Sequence, residues 1–262
     1  RKSTAINLAK AMLRQAGYSH FSAEQTSKEK YLQDLDEQHN AFESDLGNIT
    51  TATLFGSNSE RDSQVTPSFI VAGEFNDFIG NGNIEFMSIL GNLWDWQGIY
   101  DKRIKTGKSV SIPNPTISIL AGNTATGFSL AFPPTAIGQG FFSRLILVHS
   151  VPSGRLRRKP VFPDQDIAKQ LLLIKNQIQG TMKSTHGAEL LLDVIYNNPP
   201  KMEDSRFNAY MSRRYAQLLK LTIICTALRG CMEITERAGN FGSHLEYRFP
   251  GSGYEYSTYG YT

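Results

Sequence analysis

"SFIVAGEF", residues 68–75, decides the fold. Phe69 to Ala72 form a short, continuously apolar run, which predicts a strand covered on both faces, as in a sheet flanked by helices. Two further stretches read the same way: "TISILAGNT" (116–124), a buried strand ending in polar residues, and "SRLILVHSV" (143–151), a third strand. Between and around them lie helical patterns. Ala5, Leu8, Ala9, Met12 and Leu13 recur at helical spacing over Ser3 to Gln15, and Gly17 is a stop signal. "TSKEKYLQDLDE" (26–37) predicts a second helix with Thr26 and Glu29 as a capping box. "NIEFMSILGNLWDW" (83–96) predicts a third. "DKRIKTGKSVSI" (101–112) predicts a hairpin turning at Thr106-Gly107. Strands alternating with helices predict an α/β domain with a largely parallel sheet.

Residues 44–66, rich in Ser, Thr, Asn and Gly, read as a loop with short extended pieces. After the basic, proline-bounded "SGRLRRKPVFP" (153–163) the pattern turns helical over roughly 164–180, 185–197 and 204–234. The expected organisation is a core over 1–154, a linker over 155–163, a helical lid over 164–236 and a Gly/Tyr-rich tail over 237–262, disordered or foreign, to which no function is given. No internal repeat is visible.

Bulk properties narrow the class. A chain of 262 residues with 40% hydrophobic and 11% aromatic content is globular and buries a real core. Mean hydropathy of −0.31 and the lack of a run of about 18 apolar residues argue against a membrane span. No signal peptide is expected from the first residues, which lead into a helical pattern rather than an apolar h-region. Cys225 and Cys231 match no zinc spacing and fall in an apolar helical pattern, so buried, reduced thiols and a cytoplasmic compartment are expected. The five histidines form no ligand spacing, and no Ser/His/Asp set has motif context. A net charge of +3 does not by itself establish nucleic-acid binding, so the placement of the cations matters.

Two places invite a phosphate-loop reading. "TGKS" (106–109) has Gly-Lys-Ser, but Lys102 stands where the first glycine belongs and "VSIPNP" cannot open a helix, so the helix N-terminus that holds phosphate is missing. "RKST" (1–4) has the opposite profile. Lys2, Ser3 and Thr4 open a helix with a small residue and then an apolar stripe, as the surviving end of a loop cut off behind its glycines would; a polar helix start alone would look similar. Arg1 stands where the second glycine is usual.

An ATPase of this kind needs an acid at the end of a neighbouring strand. Glu74 follows an apolar strand directly, with Gly73 where an aspartate is usual, so Mg²⁺ would depend on Ser3 and water, or on Asp77. Asn123 and Thr124 end the next strand, where an amide can orient water against a γ-phosphate; turn chemistry also favours Asn there. Arg144 precedes the third apolar stretch, suited to an arginine finger or to a structural ion pair. Lys102, Arg103, Lys105 and Lys108 crowd the hairpin, which would contact backbone phosphates or simply face solvent. Trp96 and Tyr100 beside them would stack on bases or belong to the core. "RLRRK" (155–159) reads as a solvated linker, and Arg213 or Arg214, before an apolar helix, would reach a nucleotide or pair at the surface.

In this order, with "IPNPTISILAGNT" and "GFFSRLILV" the closest stretches, the chain resembles the phage- and plasmid-encoded P-loop helicase/primase-associated ATPase family over roughly 1–236. Those stretches are also similar to the AAA+ minichromosome maintenance helicases. The resemblance implies a RecA-like or AAA+-like core, ATP with Mg²⁺, a ring homo-oligomer such as a hexamer, movement along single- or double-stranded DNA, and a possible primase partner in a bacterial or phage-infected cell. It implies Lys2 and Ser3, with Thr4, as the phosphate loop, Glu74 as the Walker B acid, Asn123 as sensor 1, Arg144 as the finger and Arg213 or Arg214 as sensor 2. A DNA-packaging motor and a nucleotide-dead scaffold are the alternatives; Gly73 and the missing glycines favour the latter.

Overall fold

The computed structural model describes residues 2–49, 65–103, 109–148, 166–201 and 204–239. It divides into two units, Arg1–Phe141 and Phe142–Thr262. The chain is mixed α/β with a small parallel sheet.

In the first unit α1 (Lys2–Gln15) and α2 (Lys28–Ile49) precede β1 (Thr66–Ala72). The short helix α3 (Phe75–Ile79) follows at once, then α4 (Ile84–Asp95). The strands β2 (Ile99–Lys102) and β3 (Val110–Pro113) form the expected antiparallel hairpin, and β4 (Pro115–Ala121), α5 (Ala125–Ala131) and α6 (Pro134–Ile137) complete the unit. The hairpin's turn at Thr106-Gly107 lies outside the described residues. The apolar run of β1 is in register with β4 from Thr66↔Pro115 to Ala72↔Ala121, parallel throughout. On the other side of β1, Phe21 bridges Phe69, also in parallel. The sheet order is therefore Phe21, β1, β4. Ile70 is fully buried and Val71 and Ala72 nearly so, as a strand covered on both faces requires.

Asn114 joins β3 to β4 at φ 40°, a left-handed conformation that Asn tolerates better than other side chains. Its amide oxygen accepts from the Gly98 N–H at 3.0 Å, and its carbonyl accepts from Thr66 N–H at 3.2 Å. One residue thus ties the hairpin to the parallel pair. Asp36 of α2, itself buried, accepts from the Ser111 N–H of β3 at 3.0 Å, docking α2 on the hairpin. Tyr31, Phe78 and Phe86 meet in the core with ring centroids 5.5–6.1 Å apart. Burying each such ring contributes about 1.5–3 kcal/mol.

The second unit opens with a 3-10 turn, Phe142–Arg144, and contains α7 (Asp166–Gln177), β5 (Lys183–Ser184), α8 (His186–Asn197), a second 3-10 turn (Ser205–Phe207), α9 (Asn208–Leu228) and β6 (Glu233–Ile234). The strands β5 and β6 pair in parallel over two residues.

Three expectations are corrected. The stretch "SRLILV" is not a strand: Arg144 ends a 3-10 turn, residues 145–148 have no regular structure, and Ile146 and Val148 are 42% and 80% exposed. A strand needs a backbone partner, and no described strand pairs with this stretch. The cap of α2 is Ser27 rather than Thr26, because Ser27 Oγ accepts from the Lys30 N–H at 3.2 Å. Of the two thiols Cys225 is buried in α9, whereas Cys231 lies beyond the helix end and is exposed.

Candidate functional site

Two strand ends lie side by side. Because β1 and β4 are parallel and in register, Gly73-Glu74 and Gly122-Asn123 leave the sheet at the same edge. Backbone bonds continue past the strands, from Gly122 N–H to the Ala72 carbonyl at 2.9 Å and from Phe75 N–H to the Gly122 carbonyl at 2.8 Å. Glu74 and Asn123 are each half-buried there. The sequence predicted both as site residues, and the structure brings them together.

Glu74 is the N-cap residue of α3 but makes no side-chain capping bond. Asp77, in the first turn of α3, is exposed. Below this edge Phe75 stacks with Phe132 and Phe141, centroids 5.6 and 6.2 Å away and planes within 10°. All three rings are nearly inaccessible, so the residue after Glu74 is fixed by apolar packing.

Asn123 is held by its own backbone: its Oδ1 accepts from the Thr124 N–H at 3.0 Å. Thr124 caps α5 by accepting from the Gly127 N–H at 3.0 Å. The Asn123 Nδ2 is buried without an acceptor. A buried donor left unpaired costs about 1–3 kcal/mol, which a ligand oxygen placed there would recover.

Sequence reasoning missed two members of this group. Around the point where Gly127 would carry a Cβ stand Asn123 Oδ1, Asn76 Oδ1 and Thr124 Oγ1. Asn76 of α3 and Asn123 therefore approach each other across a glycine that leaves them room. The available signal was the glycine itself, four residues after Asn123, because Gly inside a helix needs a compensating close approach.

The sequence matches no family model, and no curated protein matches it. What the site can do rests on its own geometry.

The other candidates are placed as follows. Lys2 opens α1, with Ser3 and Thr4 exposed on its first turn; the Lys2 side chain lies outside the description. Arg144 is half-buried in the second unit, on a turn whose Ser143 carbonyl accepts from Gln217 Nε2 at 2.7 Å. In α9 Arg213 is half-buried, and Arg214 is buried with its guanidinium donating to the Ile195 carbonyl of α8 at 3.5 Å. Lys102 is half-buried on β2 and Arg103 exposed just after it, while Lys105 and Lys108 lie outside the described residues. Beside them Trp96, 41% exposed, meets Tyr100 edge to face at 5.1 Å. Among the described residues no helix is long and apolar enough to cross a membrane, and no cluster of three or more metal-ligating side chains occurs.

Proposed function

We propose that the chain is the ATPase part of a DNA helicase or translocase, with Glu74 and Asn123 facing the γ-phosphate. The observation that carries this reading is the pairing of β1 with β4, which sets an acid and an amide at adjacent ends of parallel strands. Crevices outside the carboxyl ends of such strands are where α/β sheets bind ligands.

The chain path supports a place for the phosphate loop. Only Ala16 to His20 separate α1 from Phe21, which pairs in parallel with β1. A helix joined so closely to a parallel strand runs back against the strand direction. On that path its first turn, with Lys2, Ser3 and Thr4, would lie toward the edge that carries Glu74 and Asn123. Lys2 would neutralise phosphate oxygens and the free N–H groups of that turn would cradle them.

Mg²⁺ is suited to such a donor set, since it is bound through one or two carboxylates and substrate phosphates rather than a full protein cage. Asp77 and Ser3 would hold it, and it would offset charge on the transferred phosphoryl group. Glu74 would take a proton from the attacking water, and Asn123 would orient that water through its unpaired Nδ2. Arg144 would act on a neighbouring subunit's phosphate in a ring. The hairpin cations Lys102, Arg103, Lys105 and Lys108 would track a DNA backbone, with Trp96 and Tyr100 stacking on bases.

DNA-stimulated ATP hydrolysis by the full-length protein tests this. Glu74→Gln is expected to lower kcat at least about 100-fold, and Arg144→Ala about 1,000-fold or more. Parent-like rates in both variants would end the assignment. No hydrolysis by the parent, with assembly retained, would favour the scaffold reading that Gly73 raises.

A further inference from the structure

We propose that the cavity beside the second half of α1 binds a phosphomonoester dianion. The cavity has a volume of about 560 Å³ and is lined by Lys10, Arg14, Tyr18, Ser19, Phe21 and Ser22 among others. It sits on the side of β1 away from β4, and so is distinct from the edge that carries Asn123.

Its charge is unbalanced. The Lys10 ammonium lies 5.7 Å from the centre of the Phe21 ring and the Arg14 guanidinium 5.4 Å from it. Two cations on one ring repel each other, and the ring quadrupole offsets only part of that cost. Lys10 has a carboxylate partner, Glu24, at 3.2 Å; that partner is 80% exposed and well solvated. Arg14 has no carboxylate partner among the described residues. The lining therefore keeps a net positive charge and includes a planar five-donor guanidinium.

The platform beneath is rigid. Phe21 stacks on Phe69 at 6.0 Å, and Tyr18 meets both rings edge-on at 5.2 and 6.2 Å. The φ of +81° at Gly17 lets the chain reverse here and bring Tyr18 and Ser19 to the cavity wall. A pair of cations over one ring, one of them a guanidinium able to bind through two N–H groups, matches a phosphate dianion. The volume exceeds that of a bare phosphate and falls in the usual range for small-molecule sites, which leaves room for a sugar or nucleoside body. A nucleic-acid backbone would need a longer track of cations, and the next ones along the chain, Lys28 and Lys30, are already paired to Glu85, Glu29, Asp34 and Glu37.

Isothermal titration calorimetry tests this with inorganic phosphate, ribose 5-phosphate, adenosine monophosphate and a short oligothymidylate as probes. The parent protein is expected to bind one of the three small phosphates saturably. Tighter binding of an ester than of inorganic phosphate identifies an organic phosphate as the ligand, and equal binding identifies phosphate itself. Arg14→Gln and Lys10→Gln, each with the parent's circular dichroism, are expected to weaken binding about tenfold or more. Lys2→Ala is expected to leave it unchanged, which separates this cavity from the proposed ATP site. The proposal is overturned by no saturation with any small phosphate, by parent-like binding in both Arg14→Gln and Lys10→Gln, by loss of binding in Lys2→Ala, or by tighter binding of the oligonucleotide.

Discussion

Replacing Gly127 with alanine separates the stability of the strand-end cluster from its function. The added methyl would meet three oxygens: Asn123 Oδ1 inside any real carbon–oxygen contact, Asn76 Oδ1 at 2.9 Å and Thr124 Oγ1 at 3.0 Å. In an ordinary helix Gly→Ala stabilises by about 0.5–1 kcal/mol. Here two bonds are disturbed. Turning Asn123 away removes the acceptor of the Thr124 N–H, at a cost of about 1 kcal/mol. Pushing the Thr124 hydroxyl aside weakens the cap of α5 by about 1 kcal/mol more. The balance is a loss of about 1 kcal/mol, or about 2–4 °C in Tm. On the proposed role of Asn123 the catalytic effect is expected to be far larger, because misplacing a positioning group by about 1 Å costs on the order of 100-fold. Thermal unfolding and phosphate-release kinetics on the same preparation read both quantities, with kcat falling and the KM for ATP little changed. The control is Gly73→Ala, where an added Cβ meets nothing within 4 Å and φ is not left-handed. Full activity in Gly127→Ala, or an equal loss in Gly73→Ala, would refute the reasoning.

Three other substitutions probe the frame. Phe132→Ala removes one of three mutually stacked rings, Phe75, Phe132 and Phe141, and is expected to cost about 3–5 kcal/mol in chemical denaturation; a cost below about 1 kcal/mol would mean the rings do not hold α3. Tyr31 donates its hydroxyl to Ser68 Oγ at 3.1 Å, and burial pushes its pKa well above the usual tyrosine value. The unfolded chain loses that proton near pH 10 while the folded one keeps it, so stability is full below about pH 10 and falls as pH rises beyond, by up to about 1.4 kcal/mol per unit for this group. Tyr31→Phe is expected to cost about 1–2 kcal/mol at pH 7 and to flatten the alkaline fall, as denaturant midpoints across pH would register. Gln217→Met removes the donor that holds the Ser143 carbonyl. On the proposed role of Arg144 it is expected to lower ATP hydrolysis while leaving the circular dichroism intact, and an unchanged rate would separate Gln217 from that role.

Much of this protein was legible in its residues. The continuous apolar run 69–72 specifies a strand covered on both faces, whereas 116–121, expected to be buried, forms a strand whose Thr116, Ser118, Leu120 and Ala121 are exposed. Gly and Pro punctuation fixed the hairpin of β2 and β3. All of these are local signals. That Glu74 and Asn123 would be polar strand-end residues was also legible, since each stands two positions beyond its strand. Whether "SRLILV" forms a strand depends on a partner, which the stretch does not itself encode, and the tertiary structure leaves it irregular. The cap of α2 moved by one residue, from Thr26 to Ser27, because capping depends on backbone geometry that both residue types allow. Asn76 and Gly127 are 51 positions apart, and only the packing of α3 against α5 joins them across adjacent strand ends. Local sequence determines which segments can be helix or strand; the register of β1 with β4, a long-range choice made by the packed core, decides which side chains meet.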